Sequence, residues 1–161
     1  AAGFPEYATM KAISDALQSI AVTLWVGGLW VIGFVVAPLL FSRLPDRVLA
    51  GLVAGKLFSV IAWIGIASAI YLLIFRMARS GAACLKQGFF WVTLSMLVLV
   101  LAGEFGVQTV MEGLRAQALP KEIMESVLRD RFMTWHGVAS VLYVIESFLG
   151  LALVVLHGKG R

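Results

Sequence analysis

The stretch "RFMTWHGVASVLYVIESFLGLALVVLHG", residues 131–158, is long and apolar enough to cross a bilayer, yet it carries His136 and Glu146. A helix rises ~1.5 Å per residue and a hydrocarbon core is ~30 Å thick, so about 20 apolar residues make one span. At ~100° per residue, His136, Ala139, Ser140, Tyr143, Glu146, Ser147 and Gly150 share one side of that helix. Val141, Ile145, Phe148, Leu149 and Ala152 cover the other. A span with these two faces meets lipid on one side and protein or water on the other.

Three further segments have the same character. They cover about Ala16–Phe41, closing around Pro38, then Val48–Met77 and Gln87–Leu114, with the opening stretch completing the set at Phe132–His157. Of 161 residues, 61% are hydrophobic and 14% charged, against about 25% charged in a soluble domain; the mean hydropathy is +0.96. The expected fold is all-α, an integral membrane four-helix bundle without a soluble enzyme domain. Residues 16–158 form its single domain, preceded by an N-terminal segment 1–15 and followed by a tail 159–161. Met10 makes a natural start, so residues 1–9 read as added sequence. Between the third and fourth spans, "RAQALPKEIMESVLRDR" sets Pro120 at a helix start and gathers Ile123, Met124, Val127 and Leu128 on one face, which predicts a short interfacial helix.

The net charge of +4 does not point to nucleic acid, because the basic residues are scattered through short loops, where they set membrane orientation. "RMARSGAACLKQG", residues 76–88, carries Arg76, Arg79 and Lys86 and no acid. This favours a bacterial inner-membrane protein with both termini in the cytoplasm. The single Cys84 forms no intramolecular disulfide and belongs to no metal-binding spacing. His136 and His157 lie some 30 Å apart along one helix, too far to share a haem. Met111, Met124 and Met133 lack the array a Cu(I) site needs. No nucleophile elbow, phosphate loop or HExxH motif occurs. Neither a cofactor, a metal nor an enzyme activity is therefore expected.

An ionisable residue near the bilayer centre costs about 2.5–3.5 kcal/mol on insertion scales, so it is paired, neutralised or solvated. Polar stripes also run along the third helix, through Thr93, Glu104, Gln108, Met111 and Arg115, and along the second, through Lys56, Ser59, Trp63 and Ala67. By helical rise, Lys56, Glu104 and Glu146 reach similar depth. Two acids and one base are expected to meet there: Lys56 pairs one carboxylate, and the other, held protonated, works with His136, Ser140 and Tyr143 as a relay. The competing reading is an ion pair that only fixes helix register. Gly27 and Gly28 are expected to admit a neighbouring helix or a ligand and Gly137 a neighbouring helix, and Gly51 with Gly55 forms a small-xxx-small face suited to contact with a second copy or a membrane partner protein.

Two stretches, "LFSRLPDRVLAGLVAGKLF" at residues 40–58 and "FMTWHGVASVLY" at residues 132–143, resemble the transmembrane protein 205-like family of small four-helix membrane proteins. Its bacterial members are a domain of unknown function. The resemblance singles out Leu40, Phe41, Gly51, Lys56, Leu57, Phe58, Phe132, His136, Gly137 and Ser140. Family members often carry a proline at the end of the third helix, where "GEFGVQTVMEGLR" has none, so Glu104 and Glu146 belong to a subgroup. Animal members are associated with resistance to platinum drugs, which implies handling of a cationic or metal-containing compound. The leading expectation is transport or permeation of a cation, proton or small cationic solute. The alternatives are a non-transporting scaffold and, more weakly, an enzyme that handles a lipid or quinone.

Overall fold

The computed structural model describes residues 3–117 and 128–159. Within them the chain forms four long apolar helices and no strand, as an all-α membrane bundle requires. Helix α1 comprises Gly3–Val31, a π-helical turn Ile32–Val36 and Ala37–Arg43. Helix α2 is Arg47–Ser80, joined through a 3₁₀ segment Gly81–Lys86 to α3. Helix α3 comprises Gly88–Leu101, a second π-helical turn Ala102–Gln108 and Thr109–Gln117. Helix α4 is Leu128–Lys159. The stretch expected to form an interfacial helix lies, except for its two ends, outside the described residues.

The first span does not close at Pro38. Proline lacks an N–H and its ring crowds the carbonyl four residues earlier, which normally kinks a helix. Here the wide π turn directly ahead of Pro38 absorbs the misfit, and the helix runs on to Arg43. Leu44 is extended, with φ −82° and ψ 129°, because the following Pro45 disfavours helical geometry at the residue before it. Asp46 then caps α2, its carboxylate accepting from the Val48 N–H at 2.8 Å and the Leu49 N–H at 3.4 Å. Asp46→Ala is expected to cost about 1 kcal/mol, read as a lowered thermal midpoint in detergent.

The helices pack in a ring, α1 on α2, α2 on α3, α3 on α4 and α4 on α1. At the end bearing the termini and the 3₁₀ connection, the ring closes on a core of Val22, Trp25, Val26 and Leu29 from α1, Ile61, Ala69 and Leu72 from α2, Phe89 and Met96 from α3, and Leu153 from α4. Lipid tails are as apolar as these side chains, so close contact rather than water exclusion holds such helices together. Glycines supply the closeness. A Cβ on Gly28 would lie 2.2 Å from Ile61 Cδ1, and one on Gly65 would lie 2.4 Å from Trp25 Nε1. Gly27 and Gly137, by contrast, have nothing within 4 Å of that position among the described residues, so neither is a point of close helix contact among them. At the opposite end the close of α1 stays with the start of α2, and the close of α3 with the start of α4. A cavity separates the two pairs.

Candidate functional site

The cavity has a volume of about 840 Å³ and takes lining from all four helices. Both π turns contribute to it, the first through Gly33 and Phe34 and the second through Gly103, Glu104 and Gln108. A π turn adds a residue to the helical repeat and re-aims the side chains it carries, which is why such turns recur at functional sites. The walls are largely apolar, with Phe41, Leu52, Phe58, Leu99, Met111, Phe132 and Leu142 among them.

The polar groups are graded along its length. Arg47, Arg115 and His136 stand toward the mouth formed, among the described residues, by the starts of α2 and α4 and the close of α3. The Arg115 guanidinium lies 5.5 Å from the centroid of the Phe132 ring, and His136 stacks on the same ring at 6.3 Å. Further in, Ser59 on α2 donates to Glu104 Oε1 on α3 at 2.5 Å. Tyr143 donates its hydroxyl to the Leu29 carbonyl at 2.5 Å and meets Phe58 edge-on at 4.9 Å. Its ring occupies the space left by Gly33, where a Cβ would lie 2.3 Å from Tyr143 Cε1. Glu146 stands at the blind end, ten residues and about 15 Å of helix from His136. Beyond it the closed core begins.

Glu146 is 6% exposed, and its Oε1 has no hydrogen-bond partner among the described residues. The buried Trp25 indole N–H, likewise unpartnered in strict geometry, lies alongside the carboxyl. A buried polar atom normally finds a partner, and each that does not calls for an explanation. Here the explanation is adjacent: the residue lines a cavity large enough for water or a ligand.

The structure brings together Glu104, Glu146, His136, Ser140 and Tyr143, all of which line the cavity. It does not bring in Lys56, which is exposed and forms no ion pair among the described residues. The buried face of α2 is instead built from Ala50, Ala54, Ile61, Gly65, Ile66, Ser68, Ala69 and Leu72, and Lys56 lies on the far side of the helix. Trp63 and Ala67 of the expected polar stripe are exposed as well. Small and aliphatic residues with two serines, not charged ones, mark the inward face of this span, and a lysine nine residues from the helix start can reach the membrane surface along its own stem. Gly51 and Gly55 also line the cavity. Three further participants, Gly33, Arg47 and Gly65, had no sequence signal strong enough to single them out, while Trp25 stands in "LWVGGLW", too deep in its span for an aromatic belt. Gln108 and Arg115 shared a stripe with Glu104 and could have been added on that ground.

Ser140 sits on the wall between His136 and Glu146, and the one native cysteine, Cys84, is buried at 1% exposure. Ser140→Cys is therefore expected to react with a membrane-impermeant thiol reagent from one side of the bilayer only, and the parent chain hardly at all. Labelling of sealed vesicles followed by mass spectrometry checks this, and an unreactive Cys at position 140 would mean that water does not enter.

The family model described as a domain of unknown function, DUF4149, matches residues 20–120. The chain belongs to that family. The DUF4149 match takes in Ser59, Glu104, Gln108 and Arg115, while His136, Tyr143 and Glu146 lie beyond its last matched residue. The family description carries no activity, and the four apolar helices make the chain a multi-pass membrane protein. No curated protein and no solved structure matches the chain.

Proposed function

We propose that the protein moves a proton or small cationic solute through this cavity, with Glu146 as the group that accepts the charge. The observation that carries the reading is a buried carboxylate with one oxygen unpartnered, set at the blind end of an 840 Å³ cavity. Intramembrane acids of this kind mark ion and proton pathways. His136, Ser140, Tyr143 and Glu146 form one titratable or hydroxyl-bearing line down α4, and Glu104 with Ser59 supplies a second carboxylate on the facing wall. Arg47 and Arg115 near the mouth disfavour entry of a permanent cation, so the proton is the species this wall suits best. Proton flux into proteoliposomes carrying a trapped pH dye tests the reading; flux no greater than that of protein-free vesicles would remove it.

A second reading, binding of a lipid or quinone, is favoured by the apolar walls and by His136 near the mouth. Residues of no recognised catalytic constellation line the cavity, so we read the protein as a carrier or binder rather than an enzyme. The scaffold alternative has no use for a cavity reaching an unpartnered acid. The resemblance to transmembrane protein 205-like proteins agrees with a small membrane carrier. We read the setting as a bacterial inner membrane with both termini in the cytoplasm, which turns the mouth outward. A chain this small is suited to homo-oligomer formation or a membrane partner.

A further inference from the structure

A second cavity, of about 460 Å³, lies at the closed end of the bundle. Its lining is polar throughout and comes from three helices: Lys11, Asp15 and Gln18 on α1, Arg76 and Arg79 on α2, and His157 on α4. Asp15 is the one acid among its described lining residues, and it pairs with Arg79, with Nη1 2.9 Å from Oδ1. Arg76 feels the same carboxylate at longer range and is held in place by other groups. Its Nη1 donates to Gln87 Oε1 at 3.3 Å, and its guanidinium sits 4.5 Å over the Phe89 ring. Lys11 brings a further full charge to the same space. Among the described residues the lining thus carries three basic side chains against one acid, two of them planar forks, at the ends of the spanning helices. A guanidinium and an ammonium converging on one space suit a phosphate, which offers several acceptor oxygens and the opposite charge. Basic pockets between transmembrane helices at the cytoplasmic surface hold anionic headgroups by this chemistry.

We infer that this cavity is a phosphate-binding site, filled either by the headgroup of an anionic phospholipid or by free phosphate. It is separate from the cavity that ends at Glu146 and does not depend on what passes there. Native mass spectrometry of the purified full chain, incubated with equal amounts of phosphatidylglycerol and phosphatidylcholine, is expected to retain the anionic lipid about tenfold more strongly. Lys11→Gln should erase that preference, since one charge-assisted contact is worth about a factor of ten. Lys11 is exposed on the helix surface, so this variant keeps its fold, and Arg129→Gln with Arg131→Gln at the opposite end should change nothing. If lipid shows no preference but radiolabelled inorganic phosphate binds in equilibrium dialysis, with binding lost in Lys11→Gln, the occupant is free phosphate. Absence of both, or binding indifferent to Lys11→Gln, overturns the site.

Discussion

Glu146→Gln is expected to reduce proton uptake by proteoliposomes to the level of empty vesicles, a loss of about a hundredfold or more if Glu146 is the group through which every proton passes. Glutamine keeps the shape of the side chain and removes only the titration. The side chain is buried and lacks a basic partner among the described residues, so the substitution takes away a desolvated carboxyl rather than breaking an ion pair. Burying a carboxylate without a basic partner is costly, and a neutral amide of similar volume avoids that cost. The variant should therefore match or exceed the parent in thermal midpoint while losing flux, which separates a transport defect from a folding defect. Glu104→Gln should slow uptake less, because Glu104 shares the wall but already accepts a hydrogen bond from Ser59. Undiminished flux in Glu146→Gln would leave the lipid or quinone reading in front.

The second large effect is on stability. Gly65→Val is expected to destabilise the bundle by about 3 kcal/mol, at the upper end of what overpacking usually costs. A Cβ at Gly65 would lie 2.4 Å from Trp25 Nε1 and 2.9 Å from Trp25 Cδ1 and Cε2. Trp25 is fully buried and cannot swing away without opening the core, so α1 and α2 must separate. Gly27→Val is the matched control: nothing lies within 4 Å of its added carbon, and its midpoint should stay close to the parent's. Thermal unfolding of both variants in detergent, followed by tryptophan fluorescence, decides the matter. Equal midpoints would mean that Trp25 does not pack on Gly65. Because the Trp25 indole also lies alongside Glu146, Gly65→Val should impair flux in whatever fraction stays folded.

Much of the fold was legible because a bilayer tests each span separately: length and apolar content suffice to say that a segment crosses. The polar stripes of α3 and α4 were legible as well. Thr93 and Met111 are buried, and Glu104, Gln108 and Arg115 half-buried, while Ser147 and Gly150 close the α4 stripe inside the bundle. The α2 stripe was misread for a physical reason. On a helical wheel Lys56 looks like a candidate for the interior, but a lysine can carry its charge to the surface while its stem lies in lipid. The inward face of α2 is instead written in alanine and glycine together with Ile61, Ile66, Ser68 and Leu72.

The sequence by itself determined that this chain crosses the membrane four times as helices, that α4 has a polar face, and that Glu104 and Glu146 stand on inward stripes. These follow from hydropathy and a ~100° turn, which act within one helix. Only the tertiary structure decided that the bundle is closed at one end and split at the other, that Lys56 stands apart, and that Trp25 and Tyr143 seat themselves on Gly65 and Gly33. Those outcomes depend on how far two π turns re-aim the side chains beyond them and on which facing residues are small enough to let backbones meet. Both are properties of pairs of helices, and no single helix carries them.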